Sequence, residues 1–222
     1  MSLKEIGIRN VFVGGSRIGV ETLMQRRKVA EALDQFAQAG YSILVGDANG
    51  ADRFVQEHYA RLGYDNVTVY HSAQQPRNLV DPSWKVVAVG TESGLKGREL
   101  MTLKDEAMAS ESDAAFMIWD DFHKTRFGKW AVSSGTLNNM INTVIQDNLL
   151  LVYYVPTDSR FKVRSVEDLV SKLIDRPRGK DDEENNKNRL LMKKFESMLK
   201  NAQEQFQPVV PEANLQMSIP LE

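Results

Sequence analysis

Two glycine-bearing loops occupy equivalent places in this chain: Gly14-Gly15-Ser16-Arg17 and Gly46-Asp47-Ala48-Asn49-Gly50-Ala51-Asp52. Each follows a short apolar run, Val11 to Val13 or Tyr41 to Val45, and each precedes apolar residues at helical spacing. A third loop, Ser134-Gly135-Thr136, repeats the placement after a longer gap. Strands linked through helices favour parallel pairing and right-handed crossovers. The recurring order predicts an α/β fold with three layers and a mainly parallel sheet. It also aims backbone N–H groups at one sheet edge, where they suit a phosphate.

The remaining elements follow from periodicity. Val29, Leu33, Phe36 and Ala37 share one face of a helix that Gly40 stops, because glycine enters the left-handed conformation cheaply. Ala51, Phe54, Val55, His58 and Leu62 mark a second helix ended by Gly63, and Val67 to Tyr70 reads as the third strand. Segment 72–97 is irregular and reads as a lid or excursion, although it contains Val86-Val87-Ala88-Val89. Arg98 to Ser112 reads as a helix with Leu100, Leu103 and Ala107 inward, and Ala114 to Trp119 as a strand. Residues 120–133 read as a long polar and aromatic loop. Leu137, Met140, Ile141, Val144 and Ile145 then form an amphipathic stripe behind Ser134, a candidate N-cap. Leu149 to Val155 is the last clear strand, and Ser165 to Ile174 a short closing helix with Ser165 as its cap.

Pro177-Arg178-Gly179 and the acidic run after it mark a composition shift. It divides the chain into a domain over 1–176 and a C-terminal helical extension over 177–222. In the extension, Leu191, Phe195, Met198, Leu199, Ala202 and Phe206 repeat at helical spacing. That stripe docks either on its own domain or on a second subunit, which leaves a homodimer open. Residues 207–222 read as an extended tail.

Composition narrows the partners. With 28 basic and 30 acidic residues the net charge is −2, so no global field would hold the chain on a long nucleic acid or an anionic membrane. There is no cysteine, and His58, His71 and His123 are scattered, so no metal site is expected. No run approaches the ~20 apolar residues of a membrane span. The polar start lacks a leader's apolar core, so the expected location is cytoplasmic. Gly14, Gly15 and Gly19 do not fit the dinucleotide fingerprint, and no P-loop lysine follows either loop.

Ligand-contact candidates come from the loops. Ser16 can donate to a phosphate oxygen, and Arg17 offers a planar fork; the alternative is a glycine turn with a solvated arginine. Gly50 and Ala51 allow close approach of a ligand or a neighbouring loop, and Gly14, Gly15, Gly46, Asp47 and Asn49 join them as candidates. Asp52, in a first helical turn, would repel phosphate and suits backbone capping or a ribose hydroxyl. Gly135 and Thr136, with Ser134, can hold a phosphate at a helix start, or Ser134 and Thr136 can simply cap it. Arg98 can reach a phosphate at the sheet edge. Asp120, after the strand ending at Trp119, is the carboxylate expected to point inward, with Asp121 toward solvent. Asp105, which shares a helix face with Met101 and Met108, is the alternative carboxylate. Phe122, His123, Lys124, Arg126, Phe127, Lys129 and Trp130 suggest a lid that stacks on a base, or a subunit contact. Arg77 is a candidate from the irregular segment, and His58 reads as a packed core residue.

Gly14-Gly15-Ser16-Arg17, then Gly46-x-x-x-Gly50-Ala51-Asp52, then Ser134-Gly135-Thr136 together resemble the SLOG superfamily. This is the Rossmann-like group that includes the lonely-guy phosphoribohydrolases. The Gly-Ser-Arg and Gly-Ala-Asp elements resemble its branch of small bacterial nucleotide-binding domains, over roughly residues 8–156. The resemblance implies a doubly wound, Rossmann-like domain that binds a nucleotide or nucleotide-derived small molecule at the C-terminal sheet edge. Members of the group include enzymes that cleave N-glycosidic bonds and sensor domains that only bind. The catalytic pattern Pro-Gly-Gly-x-Gly-Thr-x-x-Glu is incomplete here, because Asn139 stands where the glutamate would be. An amide cannot stabilise an oxocarbenium-like centre by charge, which favours a binder. If the chain is an enzyme, the expected reaction is hydrolysis or transfer at a nucleoside monophosphate N-glycosidic bond, with Asp105 and Asp120 as its carboxylates. The sequence does not identify a cofactor.

Overall fold

Residues 7–176 and 181–205 are described in the computed structural model. Six strands run parallel: β1 (Asn10–Gly15), β2 (Ser42–Gly46), β3 (Val67–His71), β4 (Lys85–Ala88), β5 (Ala114–Trp119) and, after the short antiparallel hairpin β6 (Phe122–Lys124) and β7 (Trp130–Val132), β8 (Leu149–Tyr154). A seventh sheet strand, β9 (Ser159–Val163), returns antiparallel beside β8. The order across the sheet is β4-β3-β2-β1-β5-β8-β9.

Alternation along each strand feeds two cores. In β1, Val11 and Val13 face one helical layer and Phe12 the other; in β5, Phe116 and Ile118 oppose Met117 and Trp119 in the same way. The first layer is α1 (Val20–Met24), α2 (Arg27–Gln38) and α3 (Ala51–Leu62). The second is α4 (Gly97–Glu111), α5 (Ser134–Ile145), α6 (Val166–Asp175) and α7 (Asp182–Gln205). The result is a Rossmann-like three-layer α/β fold with a C-terminal helix. Among the described residues no helix is long and apolar enough to cross a membrane.

Several local expectations hold. Gly63 ends α3 in the left-handed conformation, and Gly40 follows α2 with φ +67°. Ser165 caps α6 by accepting from the Asp168 N–H at 3.1 Å. His58 is buried and bonded to Asp34 at 2.8 Å.

Others are corrected. Segment 72–97 is not wholly an excursion, because Lys85–Ala88 pairs with β3 and extends the sheet. Residues 120–133 are not simply a loop but contain the β6–β7 hairpin. The N-cap of α5 is Ser133, while the Ser134 hydroxyl turns back to the Val132 carbonyl at 3.2 Å. On α4, Lys104, Met108 and Ala109 are the buried residues, whereas Leu100, Leu103 and Ala107 are only partly covered.

The stripe on α7 settles on its own chain. Leu191, Phe195, Met198 and Ala202 are buried in the same core as Leu137 and Met140 of α5, with Leu199 partly covered. Burial of side chains such as Leu191 and Phe195 contributes roughly 1.5–3 kcal/mol each. A polar tie reinforces the docking. Asp121 is buried, not solvated: it accepts from Arg176 Nε and Tyr154 Oη, each at 2.9 Å, and Arg176 Nη1 reaches Asn188 Oδ1 of α7 at 3.0 Å. Residues 177–180, Phe206 and 207–222 lie outside the described residues.

Candidate functional site

The chain builds outward from β1 through β2 and β3 to β4, then returns to place β5 on β1's other side. The ends of β1 and β5 therefore diverge into helices on opposite faces, and α/β sheets bind ligands in the crevice this reversal leaves. A cavity of about 690 Å³ opens there. Its size falls within the range of small-molecule sites.

Nine of the loop and carboxylate candidates line this cavity: Gly15, Ser16, Arg17, Asp52, Asp105, Asp120, Ser134, Gly135 and Thr136. Gly14, Gly46, Asp47, Asn49, Gly50 and Ala51 are not in its wall. The Arg98 side chain lies outside what is described. Arg77, His123 and Asn139 do line it, as does Lys104, which sequence reasoning passed over.

The first two glycine loops are locked together by protein. The Ser16 N–H donates to the Ile118 carbonyl at 2.9 Å, and the Ala51 N–H donates to the Ser16 carbonyl at 3.3 Å. The Ser16 hydroxyl donates to the Asp120 carbonyl at 3.1 Å and accepts from the Asp120 N–H at 3.0 Å, so it staples β1 to the loop after β5. With that proton committed, the Thr136 hydroxyl at 3.3 Å donates to Ser16 Oγ. A methyl on Gly15 would collide with the Ile118 carbonyl, and one on Gly46 with Asp52 Oδ2. Gly50 has φ +94° and ψ −126°, and its Cβ would fall 2.8 Å from Arg17 Cα. These glycines are required by neighbouring protein.

The start of α5 differs. Like α3 it has no side-chain cap, but no acidic residue occupies its first turn, and a Cβ on Gly135 would meet nothing within 4 Å. Ser134, Gly135 and Thr136 therefore present an open helix N-terminus to the cavity, the usual place for an anion. Arg17 at the rim is exposed, and the hairpin adds His123 and Lys124.

Charges gather on the opposite flank of β1. Asp47 is buried and held by a bidentate Arg77 fork, with Nε to Oδ2 at 3.0 Å and Nη2 to Oδ1 at 2.6 Å. Burial pushes the Asp47 carboxyl up, but its bonds to the Arg77 side chain and backbone outweigh burial and hold it below the usual range. Lys104 is buried and donates to Asp105 Oδ1 at 2.7 Å. Asp52 folds back under the end of β2 and accepts from the Ala48 N–H at 3.1 Å. Desolvation, only partly offset by Lys104, raises Asp52 from 3.8 to about 6. Asp120 is also raised, by burial and by the charge of Asp121 beside it.

The apolar wall is Phe12, Met101 and Met108. Asn139 lines the cavity at 7% exposure, and its Oδ1 has no hydrogen-bond partner. The hairpin is braced from behind. The Trp130 ring has Lys187 Nζ at 3.9 Å and Lys124 Nζ at 5.1 Å from its centroid, and its Nε1 donates to Glu183 at 3.1 Å. Among the described residues no group of His, Asp and Glu has the arrangement to hold a metal ion.

The burial of Lys104 has a weak sequence signal, since Lys104 falls four residues before Met108 on one helix face. Its carboxylate neighbour Asp52 comes from a distant helix, which spacing does not reveal. No protein-family model matches the chain, and a search of curated proteins returns no match.

Proposed function

We propose that this chain binds a nucleotide or nucleotide-derived small molecule in the cavity between β1 and β5, with the phosphate at the start of α5. The observation that carries this reading is the uncapped α5 N-terminus at Ser134, Gly135 and Thr136, which opens into a cavity of about 690 Å³ at the reversal of strand order. Phosphate satisfies the orphan N–H groups and the helix dipole together. Arg17 and Lys124 supply positive charge at the rim, and Phe12, Met101 and Met108 offer an apolar surface.

Thermal shift of the full chain against a panel of nucleoside mono-, di- and triphosphates, cyclic nucleotides and ADP-ribose tests this reading. At a hundredfold excess over Kd, a true ligand stabilises the fold by about 2.7 kcal/mol. The absence of any shift across the panel would sink the proposal.

A second reading, cleavage or transfer at a nucleotide N-glycosidic bond, draws on Asp120, whose raised carboxyl lines the same cavity. Asp105 lines it too but is tied to Lys104. Incubating nucleoside monophosphates with the protein and assaying free base tests this reading. Release that survives in an Asp105→Asn, Asp120→Asn double variant removes both carboxylates from the role. A homodimer built on α7 draws less support, because Leu191, Phe195 and Met198 are already covered within the chain.

A further inference from the structure

The anion at α5 accounts for one end of the cavity and leaves the other without a role. At that other end Asp52, Lys104 and Asp105 meet beneath Gly46, whose missing Cβ would lie 3.1 Å from Lys104 Nζ and against Asp52 Oδ2. Asp47 is neutralised by Arg77, so it does not enter the balance. Two carboxylates then share one ammonium, and the cluster carries one negative charge in excess. The side chains of Lys104 and Asp105 are only 5% and 18% exposed, so water screens that charge poorly.

Acceptor capacity is also in surplus. A carboxylate offers about four lone-pair sites. Asp52 receives the Ala48 N–H alone at 3.1 Å, and Asn139 Oδ1, on the same cavity, receives nothing. Excess negative charge and unfilled acceptors both call for donors from outside the protein. The distance between the two ends is also informative. Asp52 Oδ1 lies 3.7 Å from where a Gly14 Cβ would be, and Thr136 Oγ1 of α5 lies 3.3 Å from Ser16 Oγ, so the two ends meet β1 two residues apart, or about 7 Å along the strand. A nucleoside monophosphate held by its phosphate at α5 has the length to reach past Ser16 to Asp52.

Resting on the nucleotide reading above, we propose that Asp52, Lys104 and Asp105 form a donor-recognition subsite. The ligand of this cavity then carries hydrogen-bond donors at the end remote from its anion, of the kind a ribose cis-diol or a nucleobase amino group presents. The Asp52 carboxylate accepts from them, and Lys104 stays on Asp105 as the counter-charge that keeps the pair of carboxylates tolerable.

Calorimetric titration of the full chain separates the possibilities. The probes are inorganic phosphate, adenosine and guanosine monophosphate, their dideoxy analogues lacking both ribose hydroxyls, and inosine monophosphate, which lacks the amino group. The expected result is that one donor deletion weakens binding roughly tenfold or more, as loss of a hydrogen bond to a charged group does. Loss with the dideoxy compounds identifies the diol, and loss with inosine monophosphate identifies the amine. In an Asp52→Asn variant the same deletion should cost much less, and the wild-type arm decides the question even if that variant folds poorly. If the parent nucleotides bind and neither deletion matters, the subsite is overturned while the nucleotide reading stands. If none of the probes binds, the subsite is overturned, and the thermal-shift panel above decides the nucleotide reading separately.

Discussion

The N-termini of α3 and α5 look alike in sequence, glycine-rich turns leading into a helix, yet they solve different problems. At α3 the protein closes its own site: the Ala51 N–H goes to the Ser16 carbonyl, and the Ala48 N–H goes to Asp52. Around it Gly15, Gly46 and Gly50 have protein atoms where a side chain would go. Neither helix has a side-chain cap, but the first turn of α5 carries no acidic residue and Gly135 faces open space. A glycine that protein atoms crowd is there for the fold. Gly135 is crowded by nothing and needs no left-handed backbone, so it leaves the approach to the α5 amides open.

Substitution at Gly50 should have the largest effect on this contrast. Gly50→Ala places a Cβ 2.8 Å from Arg17 Cα at φ +94°, and is expected to destabilise the protein by about 3 kcal/mol or more in a urea melt. A loss below about 1 kcal/mol would mean that the two loops are not locked as described.

Asp52→Asn comes next and has the opposite sign at neutral pH. The folded state raises Asp52 from 3.8 to about 6, so it binds the proton more tightly than the unfolded chain does. Stability is therefore present at low pH and is lost as pH rises from about 4 through 6. The shift corresponds to at most about 3 kcal/mol, less whatever cavity water screens. Urea melts should show the advantage of the Asp52→Asn variant at pH 8 shrinking toward pH 4, where both side chains are neutral in the folded protein. An advantage that does not change with pH would exclude titration as its cause.

The smallest stability effect is expected at Gly135. Gly135→Ala has room and a helical backbone, so it should gain up to about 1 kcal/mol. Nucleotide affinity should fall in the same variant, because the methyl occupies the approach to the α5 amides. If stability falls as it does for Gly50→Ala, the two helix starts are not different after all.

The buried parallel strands were legible because their residues are apolar on both faces; Ala114–Trp119 matches its expected limits. The edges were not. β4 exposes Lys85, Val86 and Ala88 and packs only Val87 in part, so it has no core pattern to detect. β9 alternates Arg160 and Lys162 with Phe161 and Val163, as a strand with one wet face does, but it is too short to stand out from a loop. In the site, the α5 loop and Asp120 could be placed because they follow or precede recognisable elements. Lys104 and Asp121 could not, since their burial is decided by Asp105 and Asp52 in one case and by Arg176 and Tyr154 in the other. A charged side chain's local sequence does not state whether a distant partner will permit it to be buried.

Trp130 has a practical consequence. Trp84 and Trp119 are sealed in the cores, which leaves Trp130 as the one indole of this chain's three that is partly exposed. Lys124 sits both at the cavity rim and over that ring. An anion that draws the ammonium inward takes it off the indole and changes the local field on a single fluorophore. Against the background emission of Trp84 and Trp119, a ligand-dependent change in the emission spectrum of the unlabelled protein thus becomes an optical gauge of occupancy, suited to screening compounds.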